Sequence, residues 1–402
     1  MSSSEPEFND AREYSSLEEV MNTLLTAKGK SFRELDQTGR ALTGGNKGSL
    51  GQIIEESVLK YAINSDAAPD IHIGDTSYEL KVTPLKHIKK GKQTSAKERL
   101  VIDIINYLTL ADETDFESSK MWDKAKNIIL VYYYDDRTDK KKELRIDCKV
   151  LASYLMKYEA DDLATIKNDW HVIRDKVASG HADSLSESDT NYLAACTKGA
   201  NSKQLREAPA PAGANTATIF AKQRAFSLKT SYMTAIARKL LNRKSETVRL
   251  PIPQEQNLDE YVAAKFIPYT GKSSRDIASE LQVSAAPTAK NYNSSLAFAM
   301  LGASKSSISK IEQFSKANIS QFKSVTIYPD GLPREHMSFK AITDDQWEEW
   351  ANPQTTWEQS FVRDFFETSK FLIMVSKSPI PYQSGHEQSE GHFQRCIPLE
   401  YA

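Results

Sequence analysis

Residues 127–135, NIILVYYYD, hold seven consecutive apolar or aromatic side chains from Ile128 to Tyr134. A continuous run of that length, rich in β-branched and aromatic residues, reads as a buried strand, so the chain must build a sheet around it. The charged turn DDRTDKKK follows, and ELRIDCKVL reads as the return strand. Upstream, DIHIGDTSYELKVT at 70–83 alternates around Gly74-Asp75, which predicts two short strands joined by a tight turn. Segment 16–29 has helical spacing, and 49–61 (SLGQIIEESVLKY) reads as an amphipathic helix after the glycine-rich turn TGGNKG. Further helical stretches fall at 161–178 and 229–242. This order predicts an α/β or mixed α+β fold with a mixed central sheet flanked by helices.

With 402 residues, 40% hydrophobic, the chain can bury one large core or two ordinary ones, which excludes a wholly disordered protein. It has no run of about 18 apolar residues, and six acids against one base precede Val20, unlike a secretory signal. Cys148, Cys196 and Cys396 are too scattered for a disulfide framework or a zinc site. The expectation is a cytoplasmic protein without a membrane partner.

A net charge of −2 argues against a nucleic-acid partner only if the charge is evenly spread. Lys81 to Arg99 holds seven basic residues against Glu98 alone, and Lys222 to Lys244 holds seven with no acid. The acidic N-terminus and the seven acids between Asp344 and Glu367 balance them. One charge run is ordinarily a solvated face, but two basic tracts in one half of the chain point to a polyanion.

Period-two geometry puts Glu79 and Lys81 on one face of their strand, and the hairpin can bring Asp70 alongside Glu79. Two carboxylates suffice for Mg²⁺, which usually keeps several waters. Such a site suits phosphodiester hydrolysis, with the lysine orienting water or stabilising developing charge. The spacing alone is unspecific: Asp139-Lys140-Lys141 and Asp147-Cys148-Lys149 fit an acid-x-Lys pattern equally well and read as a solvated turn and a surface strand. A third acid on the 49–61 helix, Glu55 or Glu56, and the basic loop downstream favour the 70–81 hairpin. The seven histidines show no metal-ligand spacing, and His72 reads as a structural strand residue.

NKGSLGQIIEE, then PD, then YELKVTPLK and SAKERLVIDIINY resemble the restriction endonucleases related to the MutH mismatch-repair nicking enzyme, particularly the type that cuts GATC. The likeness continues through KNDWHVIRDKVASG, TNYLAACTKGANSKQLRE and RAFSLKTSYMTAIARKLL. It implies a restriction-endonuclease-like PD-ExK core over residues 16–245, after an acidic tail at 1–15. The Pro/Ala-rich EAPAPAGANTAT then becomes a loop inside that domain. By the resemblance Asp70 and Glu79 hold Mg²⁺, Lys81 is the catalytic lysine, Glu55 is the helix acid with Glu56 beside it, and the helix lysine is Lys124, with Lys126 the alternative register. DNA contacts fall to Lys86, Lys89, Lys90, Lys92 and Lys97, and around AACTKG and AFSLK to Lys198, Lys203, Ser227 and Lys229. Cys196 and Ser227 stand where the repair enzyme has an arginine and a tyrosine.

Residues 259–376, after a linker at 246–258, are similar to a degenerate second copy. ISQFKSVTIYPDGLPREHMSFKAI and TTWEQSFVRDFFETSKFLIMV resemble the strand, hairpin, helix and core strand of the same family. Gln321 replaces the metal-binding glutamate while Lys323 remains, and Phe298 and Phe365 replace the helix acid and helix lysine. Only 26 residues follow FLIMVS, so the copy reads as incomplete, with an atypical tail at 377–402 from a truncated or frame-shifted end. The expected function is a Mg²⁺-dependent type II restriction endonuclease acting on double-stranded DNA at GATC. Its expected partners are DNA, a DNA-induced second copy and a cognate methyltransferase without a stable complex. A repair-type nickase and a non-catalytic DNA-binding protein are the alternatives.

Overall fold

The computed structural model describes residues 13–39, 48–61, 70–88, 93–138, 143–197, 204–241, 247–254, 256–303, 308–334, 336–339, 341–355, 357, 360–378 and 392–398. The chain divides into two compact units, each drawn from several segments. The first comprises Met1–Asp103, Thr114–Tyr158 and Ile236–Arg243; the second comprises Ile104–Glu113, Glu159–Ala235 and Lys244–Ala402. This division cuts across the 16–245 segment. Among the described residues no helix is long and apolar enough to cross a membrane.

The first unit is organised by a mixed sheet. Strand β1 (Ile71–Ile73) turns at Gly74, whose φ of +55° suits a residue without a Cβ, into the long β2 (Thr76–Ile88). The pair is antiparallel, with Ile71 opposite Tyr78. The far half of β2 pairs with β3 (Gln93–Ala96), and β4 (Leu100–Ile104) follows in the chain. The central strand β5 (Ile128–Tyr134) lies parallel to β2, with Glu79 opposite Ile128 and Lys81 opposite Leu130. A parallel pair needs a crossover, and the helix Lys120–Ala125 leads into β5. Strand β6 (Val150–Leu155) closes the sheet antiparallel to β5.

The core packs Val20 and Leu24 of the helix Leu17–Leu25, Phe32, and Ile53 and Ile54 against Leu80, Ile129, Val131 and Tyr133 of the sheet. Two expectations shift here. The return strand starts at Val150, because Arg145–Asp147 forms a short 3-10 turn in which Arg145 donates to the Tyr133 hydroxyl at 2.6 Å. The helix expected over 49–61 is α-helical only over Ser49–Ile53 and then widens to a π-turn over Ile54–Val58. Of the TGGNKG turn before it, only Gly48 lies within the described residues.

In the second unit, β7 (Leu193–Thr197) pairs antiparallel with β10 (Arg224–Leu228), placing Cys196 opposite Ala225 and Ala194 opposite Ser227. The EAPAPAGANTAT stretch is mostly the loop expected, with only its two ends drawn into strands. Strands β8 (Leu205–Pro209) and β9 (Thr218–Lys222) form an antiparallel hairpin whose tip is residues 210–217. That tip lies against Gly180, where the helix Ala160–Ala178 has just ended, with φ +85°. Asp169 of this helix is fully buried and accepts the backbone N–H groups of Asn191, Tyr192 and Leu193, fixing the entry to β7.

Further along, β11 (Ile319–Ile327) lies parallel to β12 (Lys370–Lys377), and β13 (His392–Pro398) pairs antiparallel with β12. Lys370, at the start of β12, donates to Asn191 Oδ1 at 3.0 Å. A buried ion pair, Lys316 with Asp162 at 2.8 Å, ties the helix Glu312–Lys316 to the start of the helix Ala160–Ala178.

Candidate active site

The β1–β2 register, continued one step past Ile71, sets Asp70 opposite Glu79, and Asp70 Oδ2 accepts the N–H of Leu80 at 2.8 Å. Asp70 is thereby oriented with its second oxygen left over. Glu79 is 5% exposed; its Oε1 accepts from Lys81 Nζ at 2.5 Å, and its Oε2 is buried with no hydrogen-bond partner. An orphaned carboxylate oxygen in the interior is costly and calls for a cation.

Glu55 reaches the same place because the π-turn alters the angular step along its helix, a device frequent at functional sites. Burial first, and then the neighbouring Asp70, push the Glu55 carboxyl up to about 7, against the opposing pull of Lys81. Burial also raises Glu79, while Lys81 pulls it down and Asp70 pushes it up again. Crowded acids with raised pKa values are the electrostatic mark of a site waiting for positive charge.

Of the two candidate helix lysines, Lys124 is the one near these acids, its charge acting on Glu79. Its ammonium bonds Asp103 of β4 at 3.3 Å, and Asp103 also meets Lys120 at 3.3 Å. Lys126 pairs with Asp123 at a more exposed position. His72 bonds Ser77 at 3.0 Å, the cross-strand partner that the hairpin register gives it.

The structure thus brings Glu55, Asp70, Glu79, Lys81 and Lys124 into one neighbourhood of the first unit. Among the described residues no three His, Cys, Asp or Glu side chains form a ready cage for a metal. The donor set suits a hard ion that retains waters: Asp70 with one free oxygen, Glu79 with an orphaned one, and Glu55 nearby.

The expected DNA contacts are dispersed. Lys86 is exposed on β2. Lys97 is occupied, bonding the Asp135 carbonyl at 2.7 Å and carboxylate at 3.0 Å. Ser227 is fully buried, and Lys229 is 5% exposed with its ammonium donating to Thr190 O at 2.5 Å. Burial, with Lys370 nearby, holds Lys229 below the usual lysine range. Both side chains belong to the interior beside β7 and β10. Lys89, Lys90, Lys92, Lys198 and Lys203 lie outside the described residues. Asp103 escaped the sequence reading; its only signal is a lone acid in the apolar strand LVIDI.

The family model described as DNA mismatch repair enzyme MutH matches residues 59–169, which include Asp70, Glu79, Lys81 and Lys124. The Type II restriction enzyme Sau3AI of Staphylococcus aureus is 34% identical over 378 residues, covering 90% of this chain and 73% of that protein. This chain belongs to the MutH/Sau3AI family. Another MutH/Sau3AI relative, the DNA mismatch repair protein MutH of Shewanella woodyi, is 26% identical over 225 residues, 55% of this chain and 90% of that protein. The likeness to the restriction enzyme therefore runs through residues that the repair protein's match does not reach. Within the MutH/Sau3AI family this chain is a homologue of a type II restriction endonuclease.

Proposed function

We propose that the chain is a Mg²⁺-dependent type II restriction endonuclease that hydrolyses both strands of DNA at GATC. The observation that carries this reading is Glu79: a buried carboxylate with one oxygen on Lys81 and the other unpartnered, opposite Asp70. Asp70 and Glu79 would hold the cation, with Glu55 next to them. When bound, Mg²⁺ supplies charge at the scissile phosphate and acidifies an attacking water.

The side chains supply the rest. Lys81, still 26% exposed, can turn its ammonium from Glu79 towards a phosphate oxygen or the attacking water. Lys124, held at the edge of the site, adds a second positive charge where negative charge develops. Exposed Lys86 on β2 offers a phosphate contact that positions DNA without reading it. GATC as the site rests on the family resemblance.

We read residues 259–376 as a degenerate copy that has lost its chemistry and that binds a second DNA site. The strand register supports this: Gln321 pairs with Phe371 and Lys323 with Ile373, as Glu79 pairs with Ile128 and Lys81 with Leu130. Where the first unit has acids, aromatic rings gather. Lys323 lies over the Phe339 ring at 5.4 Å, and Phe339, Phe365 and Phe371 stack edge to face.

The test is incubation of supercoiled, unmethylated plasmid with the full chain and Mg²⁺. Discrete double-strand fragments, abolished by Glu79→Gln, are expected. Nicked circles alone would favour the repair-type activity, and retarded but intact DNA would favour a binding protein.

A further inference from the structure

Three positive charges stand around Asp103 and Glu79: Lys81, Lys120 and Lys124. Lys81 already occupies Glu79 Oε1 at 2.5 Å. Lys124 is 12% exposed, and a cation so far withdrawn from water is held best by a carboxylate. Lys124 lies on a helix that packs against β2, the strand that carries Glu79. Its charge acts on Glu79, yet its hydrogen bond goes to Asp103 at 3.3 Å, and Glu79 Oε2 is left without a partner. Asp103 is itself only 15% exposed, and its other oxygen meets Lys120, again at 3.3 Å.

We propose that Asp103 is a positioning residue that holds the Lys124 ammonium off Glu79 Oε2, keeping that oxygen free for a divalent cation. The inference rests on the reading of Asp70 and Glu79 as a metal site and adds a residue to it. Without the Asp103 carboxylate, the ammonium of Lys124 loses its hydrogen-bond partner and can turn to Glu79, on which its charge already acts. A lysine seated there must be displaced by every incoming metal ion. Side chains that orient a metal's ligands from behind are typically worth about 10-fold to 100-fold in metal affinity.

The test measures Mn²⁺ binding to the full chain without DNA, from the free-ion electron paramagnetic resonance signal. Asp103→Asn should weaken binding about 10-fold. Asp103→Glu, which keeps the carboxylate, should restore most of it. The deciding variant is Asp103→Asn combined with Lys124→Gln: with the competing ammonium gone, affinity should return to near the wild-type value. A scaffold role for Asp103 would leave the double variant as weak as the single one, and that result overturns the proposal. Unchanged binding in Asp103→Asn overturns it as well. If Asp103→Asn does not fold, Lys124→Gln alone decides: it should bind Mn²⁺ at least as tightly as wild type, and weaker binding contradicts the competition. Glu79→Gln is the separate control: if it binds Mn²⁺ as wild type does, the metal lies elsewhere and the underlying site reading falls.

Discussion

Replacing Glu55 by glutamine should stabilise the metal-free protein at alkaline pH while impairing its response to Mg²⁺. Burial and Asp70 raise the Glu55 carboxyl from 4.5 to about 7. A displacement of that size corresponds to about 3 kcal/mol at roughly 1.36 kcal/mol per pH unit. The site retains some solvent, and Glu55 shares its repulsion with Asp70 and Glu79, so about 2 kcal/mol is the working figure. Because the folded value lies above the unfolded one, the folded state binds more protons between pH 4.5 and about 7. Stability is therefore fullest below the unfolded value and declines as pH rises through the folded one. Glutamine mimics the protonated acid at every pH. In EDTA at pH 8 the variant should melt about 4–8 °C above wild type, and at pH 4.5 the difference should shrink to well under about 1 kcal/mol. Thermal melts paired with hydrogen exchange of the β2 and β5 amides would assign the change to the first unit. Adding Mg²⁺ should stabilise wild type more than the variant. A gap that is the same at both pH values, or a variant less stable at pH 8, would refute the electrostatic account of this site.

Other perturbations test separate parts of the account. Lys81→Met should reduce the rate of DNA cleavage about 100-fold or more, with DNA affinity in Ca²⁺ little changed, as filter binding and single-turnover kinetics would show. Lys316→Met leaves the buried Asp162 carboxylate without its cation and should destabilise the second unit by about 3–5 kcal/mol in denaturant unfolding. Adding Asp162→Asn should recover most of that loss. Gly180→Ala should cost about 2 kcal/mol or more by the same measure. Its φ is +85°, and a Cβ there would sit 2.2 Å from Pro211 N and 2.4 Å from Ala210 C, both backbone atoms of the β8–β9 tip.

The parts of the site legible in the sequence are those written in a strand's period of two. Alternation in DIHIGDTSYELKVT, with a glycine at its turn, places Asp70 against Glu79 and sets Lys81 on the same face. The apolar run of β5 likewise announces the central strand. What escaped depends on longer-range effects. The π-turn that aims Glu55 follows from burying Ile53, Ile54, Val58 and Leu59 in one core, and the local helical spacing does not encode the widened step. The resemblance around AFSLK offers Ser227 and Lys229 as DNA contacts, yet pairing with β7 and the Thr190 carbonyl turn them inward. Pro and Ala mark 207–218 as a loop, which 210–217 is; the strand pairing that draws in its two ends depends on the register of β8 with β9. Asp103 is invisible without the fold, since its partners Lys120 and Lys124 lie 17 and 21 positions along the chain.

The central claim is that the Asp70/Glu79 hairpin cuts DNA at one sequence. It is tested most directly by mapping the ends produced from unmethylated DNA of known sequence, incubated with the protein and Mg²⁺. The expected result is that both strands are cut, that every end maps to a GATC site, and that Glu79→Gln yields none. Ends scattered without regard to GATC, or an undiminished yield from Glu79→Gln, would contradict it.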